Sequence, residues 1–172
     1  HNLNRQQERV RIFELGRIYL GAGADAQPQR LGGLAYGAVA PEQWGQAARR
    51  VDFFDVKGDL ERALGVALTT RAAQHPALHP GQCAEILIGD AVVGVLGTLH
   101  PRRVQTLGLA AAPVLFELDA ARVGARALAR YRSLSRFPQV RRDLAFVLDM
   151  QTPAGDLLAA LRQVAPAQVR AV

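Results

Sequence analysis

Two apolar runs in the middle of the chain, residues 84–88 (AEILI) and 91–96 (AVVGVL), are separated only by Gly89-Asp90. Two residues cannot carry the crossover that a parallel pair requires, and glycine in first place supplies the positive φ of a type II′ turn. The segment is expected to be an antiparallel hairpin, and the rest of the chain must build around it.

Residues 10–20 (VRIFELGRIYL) mix β-branched and aromatic side chains with partial alternation and read as a strand with a break or bulge at Gly16. Residues 31–39 (LGGLAYGAV) read as a second strand. It is so rich in glycine that something is expected to pack close to its backbone. Residues 51–65 read as a helix, with Asp52 as its cap, Asp55 in the first turn where a negative charge suits the helix dipole, and Gly65 as its stop. Residues 101–107 form a short helix with proline in its first turn. Residues 114–118 (VLFEL) are a further strand, after which Asp119 is expected to cap a helix reaching about residue 128.

The C-terminal part has a different rhythm. Residues 131–140 (YRSLSRFPQV) have no clear period and read as an extended linker. Residues 143–149 (DLAFVLD) alternate Leu144, Phe146 and Leu148 on one face and read as a strand. Thr152-Pro153 opens a helix, as N-cap and first helical position, that runs to Pro166, and residues 169–172 begin another strand. The start at His1 rather than Met, and the stop at Val172 in a new apolar run, are expected of a piece of a longer protein.

With 49% hydrophobic and 21% charged residues, the composition excludes a disordered chain. No apolar stretch approaches the roughly 18 residues of a membrane span, and no signal peptide is visible. The single cysteine, Cys83, cannot form an internal disulfide, so a cytoplasmic location is expected. The net charge is +6, and its distribution matters more than its size. Residues 1–129 carry 14 basic and 12 acidic side chains, whereas residues 130–172 carry 7 and 3. The excess sits where contact with a polyanion is physically reasonable.

Most chemistry that the sequence invites does not survive inspection. His75 and His79 would share one face of a helix and suggest a metal, but Pro76 and Pro80 follow them, so they are expected to shape a loop and no metal site is assigned. Cys83, Ser133 and Ser135 lie in no nucleophile motif, and neither phosphate-binding glycine signature occurs. Gly32, Gly33, Gly94 and Gly97 read as sites of tight packing. The carboxylates Asp52, Asp55, Asp59 and Glu61 read as caps and a solvated helix face. No catalytic residue is therefore assigned. Arg136, Arg141 and Arg142 flank Phe137, and guanidinium groups pair with phosphates as aromatic rings stack on bases. Those arginines stand equally as nucleic-acid contacts or as ordinary linker charges, one of them paired with Asp143.

Taken in order, FELGRIYL, a glycine-rich strand, VDFFDVKGDLE, HPALHPGQCAEILIGDAVVGVLGTLHP, LFELD and SRFPQVRRDLAFVLD resemble the β subunit of bacterial phenylalanyl-tRNA synthetase across nearly the whole chain. The resemblance implies an α+β architecture. Residues 1–129 would form part of a non-catalytic class II aminoacyl-tRNA synthetase-like module, an antiparallel sheet with flanking helices. Residues 130–172 would form the first half of a ferredoxin-like anticodon-binding domain. It also implies a catalytic α-subunit partner in a heterotetramer of two α and two β subunits, with tRNA(Phe) contacted near Arg136, Arg141 and Arg142. GVLGTLHP lacks the closely spaced glycines and ATP-gripping arginine of a working class II motif. The ATP and magnesium of the whole enzyme are thus expected elsewhere, with no cofactor in this segment. A stand-alone RNA- or protein-binding module is the alternative, and an enzyme with a pocket under the glycine-rich strand is a third. Because half a ferredoxin-like domain leaves Leu144, Phe146 and Leu148 short of cover, residues 143–172 are expected to be less ordered, or to be covered by a neighbour.

Overall fold

A computed structural model of the chain describes residues 7–23, 26–124, 131, 136–138, 140–166 and 169. Of its two units, His1–Leu128 and Ala129–Val172, the first runs β1 (Val10–Arg17), β2 (Gln29–Tyr36), α1 (Phe53–Leu64), β3 (Thr69–Ala72), β4 (Leu78–Ile88), β5 (Ala91–Leu99), α2 (Pro101–Thr106), β6 (Val114–Asp119) and α3 (Ala120–Val123). The strands form one six-stranded sheet in the order β1-β2-β6-β5-β4-β3, antiparallel at every pairing. The expected hairpin joins β4 to β5, with Ile88 opposite Ala91 and Gly89 at φ +58°.

Residues paired across an antiparallel ladder point to the same side, and successive residues alternate. One face therefore carries the rows Ile86–Gly94–Leu118–Leu31–Leu15 and Ala84–Leu96–Phe116–Gly33–Phe13. Helix α1 covers the centre of this face, where its Val56 and Leu60 join Ile86, Leu96 and Leu118 in the core. The last three are fully buried, and each contributes roughly 1.5–3 kcal/mol through burial. Between Ile86–Gly94 and Leu87–Val92 the strand β5 holds one residue more than β4. That residue, Val93, turns into the core at 1% exposure.

Local chemistry explains why α1 starts and stops where it does. The Asp52 carboxylate accepts hydrogen bonds from the N–H groups of Phe54 (2.8 Å) and Asp55 (3.0 Å), and the Asp55 carboxylate accepts from Asp52 N–H (2.9 Å). This reciprocal box satisfies donors that the first turn cannot satisfy itself. Gly65 ends the helix in the left-handed region at φ 70°.

Several expectations need correction. Gly16 pairs with Arg30 in an unbroken register, so β1 has no bulge there and ends at Arg17. The second strand ends at Tyr36 because Gly37, at φ +83°, turns the chain away. The glycine-rich strand is packed closely on one side only. The Phe116 ring lies over Gly33, whereas the nearest atom to a Cβ placed at Gly32 would be 3.9 Å away. The helix expected from Asp119 to about residue 128 ends after one turn at Gly124, and residues 125–130 lie outside the described residues. Residues 78–80, read as loop, begin β4, although pairing breaks between Leu78 and Cys83 where Pro80 can donate no hydrogen bond.

In the second unit, α4 (Ala154–Val164) carries Leu157 and Leu161 half-buried on one side. Its N-cap is Pro153, with no side-chain cap, rather than the expected Thr152. Residues 143–149 form no strand. A strand exists only against a partner, and here Leu144, Phe146 and Leu148 remain 73%, 49% and 46% exposed. Asp149 instead closes a turn by accepting from the backbone N–H groups of Gln151 and Thr152. Val169 lies in no strand, and the rest of the expected final strand falls outside the described residues.

Candidate functional site: the open face of the sheet

The sheet face away from α1 carries a row of different chemistry: Arg71–Glu85–Val95–Glu117–Gly32–Glu14. A cleft of about 360 Å³ lies over this face, floored by Val92 and Val95 and bordered by Arg30, Arg122, Glu85, Glu117, Asp119 and His75. Alternation along β6 aims Glu117 and Asp119 outward while Phe116 and Leu118 point toward the core.

The charges in the cleft largely neutralise one another. Arg30 Nη1 lies 2.8 Å from Asp119 Oδ2, and Arg122 Nε lies 3.6 Å from the same oxygen. Asp119 also accepts from the Ala121 N–H to cap α3, and Arg122 Nη1 donates to the Val92 carbonyl at 2.8 Å. Glu85 takes two hydrogen bonds from Arg71, at 2.7 and 3.0 Å. Arg30 Nε is buried with no hydrogen-bond acceptor among the described residues, and Glu117 Oε1 is 3.7 Å from it. No nucleophile here is hydrogen-bonded to a base. The result is a cleft of paired ions over Val92 and Val95.

The histidines do something else. His75, His79 and His100 each precede a proline, and each ring accepts at Nδ1 from the N–H two residues on, at 3.2, 3.0 and 3.1 Å. Proline has no N–H, so the next residue supplies the first donor within reach, and the imidazole closes the turn. Among the described residues no group of three or more His, Cys, Asp or Glu is placed to hold a metal ion.

The model of the family described as phenylalanyl tRNA synthetase beta chain CLM domain matches residues 1–120. The chain belongs to that family. It is 64% identical over 172 residues to the phenylalanine–tRNA ligase beta subunit of Thiobacillus denitrificans, covering 100% of this chain and 22% of the relative. It is 52% identical over 165 residues to that of Methylococcus capsulatus, covering 93% of this chain and 21% of the relative. It is 50% identical over 162 residues to that of Burkholderia pseudomallei, covering 88% and 20%. The chain thus spans about a fifth of the length of these ligase subunits. The match to the CLM domain lies within the unit that holds the sheet and the cleft.

Arg136, Arg141 and Arg142 lie in the other unit, and all three are exposed. Arg142 Nη1 donates to the Arg141 carbonyl at 3.1 Å. Among the described residues none of the three pairs with Asp143, which is itself exposed. Sequence reasoning missed the cleft residues Arg30, Glu85, Glu117, Asp119 and Arg122. The available signal was acidic residues at alternate positions of an apolar strand, as in LFELD. Among the described residues no helix is long and apolar enough to cross a membrane.

Proposed function

We propose that the chain is a non-catalytic part of a phenylalanine–tRNA ligase β subunit. In this reading residues 1–129 are a class II synthetase-like module that assembles with a catalytic α subunit in a heterotetramer. Residues 130–172 are the first half of a ferredoxin-like domain that contacts the anticodon region of tRNA(Phe) through Arg136, Arg141 and Arg142. ATP and magnesium act on parts of the enzyme outside this chain, in the cytoplasm.

The observation that carries the non-catalytic part is the cleft. Asp119 is tied to Arg30 and Arg122, and Glu85 to Arg71, and an ion already held by a counter-ion is poorly placed to grip a substrate. The family match supports the assignment to the β subunit. The excess of basic over acidic residues in 130–172, 7 against 3, supports the tRNA contact.

Glu117 supplies the test, because it is exposed and only loosely paired, 3.7 Å from Arg30. Replacing it by glutamine in the assembled enzyme is expected to leave the aminoacylation rate within about twofold, since an interaction made only in the transition state typically contributes ~100-fold or more. A loss on that larger scale would make the cleft catalytic. The 172-residue chain alone is expected to show no phenylalanine-dependent pyrophosphate exchange.

A further inference from the structure

Residues 37–50 are held as a finger. Ala38 bridges Arg50, the Val39 N–H donates to the Arg49 carbonyl at 3.0 Å, and the Val51 N–H donates to the Gly37 carbonyl at 2.9 Å. Arg49 clamps this base to the start of α1 through its two bonds to Asp55. At the tip, Trp44 and Gly45 are the central residues of a turn, with Gly45 at φ +87°. The Gln43 side-chain amide donates to that of Gln46 at 2.7 Å across it. This turn holds Trp44 at 99% exposure. A tryptophan left in water forgoes one of the largest burials a side chain can gain, and a loop that fixes it there presents a pre-organised anchor.

Guanidinium groups collect at the base of the finger. Arg11 donates to the carbonyls of Val10, Tyr36 and Ala38 at 3.0, 3.0 and 3.1 Å, and Arg50 is paired with Ala38 across the bridge. Gly37 admits the backbone of Glu8 and Arg9 so closely that a Cβ there would run into the Glu8 carbonyl. Arg49 is matched to Asp52 and Asp55, but Arg9, Arg11 and Arg50 form no ion pair among the described residues. Glu8 and Glu42 are exposed and bridge to none of them. Burial, and after it the like charge of Arg9, holds the Arg11 guanidinium below its ordinary value against the smaller pull of Asp59 and Asp55. In the cleft, by contrast, Arg30 and Arg122 are matched to Asp119.

We infer that the finger is a contact for single-stranded RNA, with the Trp44 ring stacking on one unpaired base and Arg9 and Arg50 pairing with phosphates beside it. This rests on the reading of the chain as part of a tRNA-charging enzyme, which makes the RNA an unpaired nucleotide of tRNA(Phe) and its neighbours. Trp44 and Arg50 are separated by at most roughly 20 Å of chain, so phosphates within a few nucleotides of the stacked base reach the arginines. A protein partner matches less well. A protein hot spot seats its tryptophan in a desolvated pocket from which charge is depleted. Here Trp44 is the only aromatic residue of 37–50, and it is flanked by Glu42, Gln43 and Gln46. A base needs only the face of the ring, and phosphates supply the anions that the arginines lack.

Binding of tRNA(Phe) to the assembled enzyme at several salt concentrations tests this. Trp44→Ala is expected to weaken binding by about 5- to 150-fold, the effect of one stacked base, with the slope of log K against log salt unchanged. Trp44→Phe keeps an aromatic face and is expected to retain most of the affinity. Replacing Arg9 and Arg50 together by alanine is expected to flatten the slope by about 1.4, since each single-strand phosphate contact contributes about 0.7. A photoreactive phenylalanine analogue at position 44 is expected to cross-link to an unpaired nucleotide of the tRNA. Unchanged affinity in Trp44→Ala overturns the inference, and so does an equal loss in Trp44→Phe. A cross-link to protein overturns it as well, because it makes Trp44 a protein contact. Wild-type assembled enzyme that binds no tRNA(Phe) overturns the proposed function itself, and the inference with it.

Discussion

Gly94 on β5 lies against the carbonyl oxygen of Glu117 on β6, in a space closed to any side-chain carbon. A Cβ there would also meet Leu118 at its α-carbon, so two backbones would have to part to admit one methyl group. At Gly32, on the open face, a Cβ would meet nothing nearer than 3.9 Å.

The two glycines should therefore respond in opposite ways. Gly94→Ala is expected to cost about 1–3 kcal/mol, the usual scale of overpacking a closed site. Gly32→Ala is expected to be neutral or to stabilise by a few tenths of a kcal/mol, because alanine narrows the unfolded ensemble and the strand has room for it. Urea unfolding midpoints of the two variants distinguish them, and equal losses would mean that the open face is not open.

The start of α1 gives a pH-dependent prediction. Two hydrogen bonds from Arg49, both 2.6 Å, hold the Asp55 carboxyl down to about 2 from its ordinary 3.8. A carboxyl lowered on folding contributes stability that is complete above the ordinary value and lost as pH falls through the folded one. The wild-type chain should thus lose stability between about 3.8 and about 2, and Asp55→Asn should lose less over that window. Asp52→Ala removes the cap itself and is expected to cost about 1 kcal/mol at neutral pH. Thermal melts at pH 5 and at pH 2.5 on the three proteins provide the comparison.

Arg141 and Arg142 allow the proposed tRNA contact to be separated into charge and recognition. Half a domain is expected to bind weakly, through phosphates, without reading the anticodon. Replacing both arginines by alanine is then expected to flatten the slope of log K against log salt by up to about two, equally for matched and mismatched anticodons. Tight, anticodon-selective binding that persists at high salt would show that the segment recognises sequence on its own.

The parts of the fold legible in the sequence were those fixed by neighbours in the chain. Gly89-Asp90 sets its own turn, Asp52 and Asp55 cap their own helix, and Pro101 opens α2, so each was expected correctly. The errors fall where distant partners decide. β3 was missed because TTRA has no apolar alternation, and it is a strand only because Glu85 and its neighbours on β4 offer a ladder. Residues 143–149 have the alternation and form no strand, because no ladder is offered. The cleft was invisible for the same reason: its charges come from β2, β4, β6 and α3, and only the register of the sheet brings them together.

Cys83 is the single cysteine of the chain, and it sits at 7% exposure opposite Gly97 in the β4–β5 pair. Burial pushes its thiol up, and the thiolate is the form that reacts with alkylating reagents. A thiol reagent therefore reacts with it slowly unless the packing around Cys83 opens. Each labelled molecule then records one such opening, so this part of the sheet carries its own counter of local breathing.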